Sequence, residues 1–382
     1  MSDSTSLGDS RIPQLDGIRG LAILLVLIWH FAVISIQATP GSGLAYAIKV
    51  FSLTWGGVDL FFVLSGFLIG GILLNHRTAP RYFIAFYARR VCRIFPPYYL
   101  LLALFIAAYF WSARTEITAW AWLVDGPMPL WSYFLFVQNF AMAAAGGHGA
   151  NWLGVTWSLA IEEQFYLLLP LLIRFLTPDR IPYALSLLII SAPVFRTYLW
   201  FYHPLAGFPG FVLLPGRWDS LLIGVLVAFY VRNRNARIWL DKNAIFLWGT
   251  FCVLLIGVIG FTLTSQGIGS LGMSVFGHTW LALLGANLIL IALFARSPSC
   301  NWALTQPMLL WLGSISYGVY LYHQFIHGLC HLLITGKSPR IMGIEDGFVS
   351  LLALALTLGI ATISLRYFER PILRLGQRIS YA

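Results

Sequence analysis

Apolar stretches of about 20 residues recur about ten times along this chain, and nothing else in the sequence constrains the fold as strongly. A helix needs about 20 apolar residues to cross a bilayer, and backbone in lipid must satisfy its own hydrogen bonds. The runs lie at approximately 18–36, 54–74, 95–112, 157–176, 183–202, 211–231, 244–264, 273–294, 308–334 and 349–368. The polar connections between them are short. Of the 382 residues, 59% are hydrophobic and 10% charged, whereas soluble domains are about a quarter charged. The sequence therefore predicts an all-α, polytopic membrane protein with about ten transmembrane helices. Residues 1–14 read as a polar tail, 15–373 as the membrane domain and 374–382 as a basic tail, with no fused soluble domain. The first run lacks a small-residue cleavage site at Val33-Ile34-Ser35-Ile36-Gln37 and follows Arg19 directly, so it reads as a retained helix rather than a signal peptide.

The excess of basic residues is unevenly placed. With the N-terminus in the cytoplasm, roughly 18 of the 24 Lys and Arg residues fall on inner segments and about 6 on outer ones. Basic residues near helix ends favour the cytoplasmic side, so the bias predicts both termini inside. The net charge of +10 is thus a topology signal and gives no reason to invoke nucleic acid. The four cysteines, Cys92, Cys252, Cys300 and Cys330, are scattered and show neither a disulfide pattern nor metal-ligand spacing.

Titratable side chains inside spanning helices cost at least a few kcal/mol, about 2.5 or more, so each is a functional candidate. Here they are His30, Asp59, Glu162, Glu163, Arg217, Asp219 and His323. Arg19 and His30 lie eleven residues apart, about three turns and about 16 Å of rise, and therefore share a helix face. The predicted topology puts His30, Asp59, Glu162 and Glu163 in the outer half of the membrane, with Arg217 and Asp219 near the same level. Histidine suits removal of a proton from an alcohol. A carboxylate on its other ring nitrogen would fix the tautomer, and Asp59, Glu162 and Glu163 are the three candidates. A buried histidine satisfied by a backbone carbonyl is the plain alternative. Adjacent carboxylates on a helix point about 100° apart, so at most one of Glu162 and Glu163 faces such a site. His323, His327 and His331 form a stripe at four-residue spacing, but no acidic third ligand accompanies them, and no metal is expected.

A second cluster lies at the inner end of the third run, where YARRVCRIFPPYY carries Arg89, Arg90 and Arg93. Three guanidinium groups this close can grip a phosphate-rich ligand. By composition alone, an anchor on anionic lipid is the favoured reading of the three.

Seven stretches occur in the order of a known family: LDGIRGLAILLVLIWH (15–30), GGVDLFFVLSGFLIGG (56–71), FYARRVCRIFPPYY (86–99), WSLAIEEQFYLLLP (157–170), RWDSLLIG (217–224), SISYGVYLYHQ (314–324) and FERP (368–371). From Leu15 to about Pro371 the chain resembles the acyltransferase 3 family of bacterial membrane O-acyltransferases. The resemblance implies a ten-helix domain in the bacterial inner membrane that uses cytoplasmic acetyl-CoA or another acyl-CoA. It implies as acceptor a surface or secreted glycan, a lipid-linked sugar or a macrolide. The family's Arg-x10-His motif falls on Arg19 and His30, its donor-associated Arg-x-x-Arg on Arg90 and Arg93, and its acidic pair on Glu162 and Glu163. Longer members carry an extra periplasmic hydrolase-like domain, and none is expected here.

The resulting expectation assigns His30, Arg19, Glu163, Glu162 and Asp59 to catalysis, and Arg90, Arg93 and Arg89 to the donor. Trp157, Arg217, Asp219, Tyr320 and His323 are the candidates for holding the acceptor. Direct attack of the alkoxide on the thioester is preferred to an acyl-histidine intermediate. A secondary transporter and a non-catalytic glycan-assembly protein are the rival classes, since either can carry ionisable residues inside a bundle.

Overall fold

The computed structural model describes residues 12–112, 114, 121–264, 267–295 and 297–382. Most of the polar N-terminal tail, Arg11, Arg296 and parts of the connection after residue 112 lie outside the described residues. Among the described residues there is no β-strand; one isolated bridge joins Ile36 to Ile341.

Each of the ten apolar runs is helical. We label the helices α1 (Pro13–Ile28), α2 (Gly57–Asn75), α3 (Tyr82–Ser112), α4 (Thr156–Phe175), α5 (Ile181–Tyr202), α6 (Trp218–Tyr230), α7 (Ala244–Thr264), α8 (His278–Phe294), α9 (Pro307–Thr335) and α10 (Ile344–Ile363). Seven helical stretches among the described residues are long and apolar enough to cross a membrane. The other three are α4, which carries Glu162, Glu163 and Arg174; α6, at 13 residues; and α9, which carries three histidines. The chain is a multi-pass membrane protein.

Where the helices depart from the expected runs, the causes are local. α6 begins at Trp218 rather than near residue 211, because Pro209, Gly210, Pro215 and Gly216 divide the preceding segment into two short turns, Phe208–Val212 and Leu214–Gly216. In α3, Pro96 and Pro97 have no N–H, so the carbonyls of Cys92 and Arg93 lose their helical donors just beyond the arginine cluster. Three π-helical turns extend other helices: Trp29–Val33 after α1, Met273–Gly277 before α8 and Ser364–Glu369 after α10. Such turns insert one extra residue and are frequent at functional sites. One of these contains His30.

The chain divides into two compact units. The first comprises the described part of Met1–Leu24, with Gly56–Tyr82 and Gln164–Ser314; the second comprises Leu25–Trp55, Phe83–Glu163 and Ile315–Ala382. In the first unit α2 and α6 lie backbone to backbone. A methyl group on Gly66 would overlap the carbonyl oxygen of Leu221, and one on Gly224 would overlap that of Val63. Close approach of this kind, permitted by missing side chains, is how helices pack in lipid, where apolar burial alone gives little drive. The second unit is rich in aromatic contacts, including Trp152 stacked on Phe325 with centroids 3.8 Å apart and edge-on to Phe105 at 5.7 Å.

Candidate active site

The second unit holds His30, His323, Glu162, Glu163, Arg89, Arg90, Arg93, Trp157 and Tyr320. His30 sits in the π turn after α1 with its Nδ1 2.9 Å from the carbonyl oxygen of Val26. A carbonyl oxygen can only accept, so Nδ1 carries the proton and Nε2 keeps its lone pair. The tautomer is therefore fixed by the histidine's own helix, not by a carboxylate. Ser35 donates its hydroxyl to the backbone carbonyl of His30 at 2.6 Å, which satisfies a group the π turn would otherwise strand. The His30 ring meets His323 of α9 edge-on, with centroids 4.6 Å apart. Beyond it, Phe31 stacks on His327, and both His327 and His331 place Nε2 against the hydroxyl of Ser350, at 3.1 and 2.9 Å. His327 and His331 are thus joined through one serine.

Hydrogen bonds between helices set the depth of each group. Tyr317 of α9 donates to the carbonyl of Ile94 in α3 at 2.8 Å. Phe105 of α3 and Phe325 of α9 both meet Trp152, so these two helices run the same way. From Tyr317 to His323 is about 9 Å of rise, and from Ile94 back to Arg90 about 6 Å, which puts the histidine and arginine levels about 15 Å apart. On α4, Ser158 exchanges a 2.6 Å hydrogen bond with Tyr320, and Glu163 lies five residues further on. That puts Glu163 about 12 Å below His323. Arg90 and the tyrosines Tyr98, Tyr99 and Tyr317 are its electrostatic neighbours. The carboxylate pair accordingly keeps company with the arginines, whereas the sequence placed it in one slab with His30.

Arg90 and Arg93, three residues apart, share a face of α3. Arg93 has Glu369 as an electrostatic neighbour, and Glu369 accepts from Ser364 at 2.8 Å inside the π turn after α10. Arg89 is engaged differently: its Nε and Nη2 both donate to the carbonyl of Ile379, at 3.1 and 2.9 Å, and its guanidinium lies over the Tyr381 ring. Burial pushes the Tyr381 phenol above its ordinary range, with Arg89 and Arg90 pulling the other way. The C-terminal segment is therefore tied to Arg89, while Arg90 and Arg93 supply guanidinium groups of the kind a polyphosphate needs. Trp157 lies near His148, ring centroids 6.4 Å apart. His148 stands in the connection before α4, where burial pushes its imidazole down to about 4.

The first unit holds Arg19, Asp59, Arg217 and Asp219. Arg19 pairs with Asp16 at 3.0 Å. Asp59 accepts from Arg217 at 2.6 Å and from the hydroxyl of Ser220 at 2.9 Å. Arg217 also donates to Nδ1 of His278, which leaves that imidazole neutral. Asp219 accepts from Arg196 at 2.9 Å and from Thr279 at 2.6 Å, and Arg196 donates further to the carbonyls of Ser274 and Gly216. The two arginines and two aspartates are at most 1% exposed and balance in charge. Sequence reasoning missed Arg196 and His278 as members of this network, although a charged residue within the run at 183–202 was a readable signal.

Comparison with known proteins assigns this architecture. A family model described as an acyltransferase domain, Acyl_transf_3, matches residues 12–366. The chain belongs to the acyltransferase 3 family. Among curated relatives of this acyltransferase chain, the O-acetyltransferase OatA of Staphylococcus aureus (strain NCTC 8325 / PS 47) is 27% identical over 380 residues, covering 96% of this chain and 58% of its own. The peptidoglycan O-acetyltransferase OatA of Listeria monocytogenes is 27% identical, covering 98% and 58%. The putative peptidoglycan O-acetyltransferase YrhL of Bacillus subtilis is 28% identical, covering 96% and 56%. The acyltransferase chain thus spans a little under three fifths of the length of these relatives. No solved structure matches it.

Proposed function

We propose that this protein is an O-acyltransferase of the bacterial inner membrane that moves an acetyl group from cytoplasmic acetyl-CoA to a hydroxyl of a cell-surface glycan, of which peptidoglycan is the first choice. The relatives' names support acetyl transfer and a glycan acceptor. The single observation that carries the two-sided mechanism is the spacing within the second unit. About 15 Å separates the arginine level from the histidine level, and the pantetheine arm of coenzyme A, comparable to four or five extended residues, reaches about 15–20 Å.

In this reading Arg90 and Arg93 hold the coenzyme phosphates at the inner end of α3, and the thioester comes up to His30. Nε2 of His30 removes the acceptor's hydroxyl proton, and the oxygen attacks the thioester carbonyl carbon. As the ester forms, the carbon–sulfur bond breaks, and the departing thiolate takes the proton from the imidazolium. Catalysis of this type contributes about 10²–10⁴-fold. Glu162 and Glu163 set the charge beside Arg90. Trp157 and Tyr320, within one turn of His323 on the arginine side, close the passage just below the point where donor and acceptor meet. Asp59, Arg217 and Asp219 act by holding the first unit together.

The test uses purified protein with [¹⁴C]acetyl-CoA and a soluble peptidoglycan fragment. Wild type should transfer label to the fragment, and His30→Ala should not, at equal protein recovery. Label transfer that survives His30→Ala sinks the assignment of the base. Flux of substrate through proteoliposomes without consumption of the thioester would favour a transporter instead.

A further inference from the structure

The proposed base stands against a second histidine whose geometry gives it work to do. His323 of α9 is fully buried. Its Nδ1 lies 2.8 Å from the carbonyl oxygen of Tyr320 and 3.1 Å from that of Val319. These oxygens can only accept, so His323, like His30, carries its proton on Nδ1. Its Nε2 is a bare acceptor, buried and without a hydrogen-bond partner. A buried acceptor left unpaired is costly and uncommon, which makes its neighbours informative. That neighbour is His30, ring to ring at 4.6 Å and 68°. At this separation an edge N–H of one ring can address the lone pair or π face of the other.

We propose that His323 is a positioning residue for the base: a neutral imidazole whose lone-pair edge stabilises the positive charge that His30 gains when it is protonated. The inference rests on the transferase reading above. In the resting site His323 has an unmet acceptor. When the hydroxyl proton arrives on Nε2 of His30, that N–H stays on the line to the reacting oxygen and then the thiolate, while the positive charge of the ring is stabilised by the unmet lone pair of His323 beside it. An interaction made only as the proton moves lowers the barrier without tightening ground-state binding. The proton then returns through His30 to the departing thiolate, so His323 ends the cycle unchanged and the proton count balances. This is the stabilising role that a carboxylate plays in other base-and-orienter pairs, filled here by an uncharged group.

Two substitutions separate this role from simple packing. His323→Gln places an amide oxygen near the position of Nε2 and keeps an acceptor. His323→Phe keeps a ring of similar shape in an apolar helix but has no acceptor. The account predicts that Gln retains acetyl transfer within about tenfold of wild type, while Phe loses about 100-fold or more in kcat with KM for acetyl-CoA unchanged. A packing role predicts the reverse order, because Phe fills the ring's space and Gln introduces a flexible polar chain. Phe active and Gln inactive, or a loss confined to KM, overturns the proposal. Wild type and His30→Ala run alongside: an inactive wild type, or an active His30→Ala, strikes the transferase reading itself. An active wild type with an unaffected His323→Phe strikes only the role of His323. Thermal unfolding of both variants in detergent reports whether each is folded, and the comparison stands on whichever variants remain folded, since an active Phe or an inactive folded Gln each overturns it alone.

Discussion

Replacing Asp59 with Asn takes one negative charge out of the buried network in the first unit. Asp59 accepts from Arg217 at 2.6 Å and from Ser220 at 2.9 Å, and all three side chains are fully buried. Asparagine nearly matches aspartate in shape and keeps an oxygen for Ser220, so packing changes little. What is lost is the counter-charge of Arg217, and leaving a buried charge unpaired costs about 3–5 kcal/mol. Replacing Arg217 with Gln as well removes that stranded charge while keeping an N–H for His278. The double variant should therefore recover about 2 kcal/mol or more relative to the sum of the single losses, a coupling at the upper end for residues in contact. The assay is a double-mutant cycle of unfolding in detergent, with Asp59→Asn, Arg217→Gln and the double variant measured against wild type. The double variant should also retain acetyl transfer. If Asp59→Asn is as stable as wild type, or if the two losses simply add, the pair is not the buried clamp described here. If the double variant is as stable as wild type yet inactive, Asp59 belongs to the chemistry instead.

Four further expectations follow from the geometry. Alanine at Arg90 or at Arg93 should raise KM for acetyl-CoA by about 10-fold or more, the loss of one charge-assisted hydrogen bond of about 1.5–3 kcal/mol. Alanine at Arg89, which holds the Ile379 carbonyl and Tyr381, should have a smaller effect on KM and instead loosen the C-terminal segment to proteolysis. Gly66→Ala should force α2 and α6 apart by about 1 Å and lower the unfolding temperature in detergent, and Gly66→Ser should be no milder. His148 is neutral in the fold down to pH about 4, below its ordinary 6.5. The unfolded chain therefore binds a proton first, and stability should fall as pH drops from about 6.5 towards 4. His148→Gln should flatten that part of the stability–pH curve.

The helical architecture was legible because a spanning helix is expected to be both long and apolar, and seven of the ten runs announced themselves by that alone. The polar candidates were legible for the same reason: His30, Asp59, Arg217 and His323 stand out where charge is expensive. What the sequence could not supply was partnership. Nothing in the chain order pairs Asp59 with Arg217, 158 residues away, rather than with His30. Nothing in it says that Nδ1 of His30 meets the Val26 carbonyl, because that contact depends on a π turn beginning at Trp29. The depth of Glu162 and Glu163 was misjudged from topology alone, since the register of α4 against α9 is fixed by the Ser158–Tyr320 bond and not by run length. Nor does the chain order pair Arg196, inside α5, with Asp219 of α6.

The claim on which the account stands is that donor and acceptor meet at His30 from opposite sides of the membrane. Oriented proteoliposomes test it directly, with [¹⁴C]acetyl-CoA confined to the compartment facing Arg90 and Arg93 and an impermeant peptidoglycan fragment confined to the other. The account predicts labelled fragment in that arrangement and none when both substrates are moved to the acceptor side. Labelling that requires both substrates in the same compartment would contradict it.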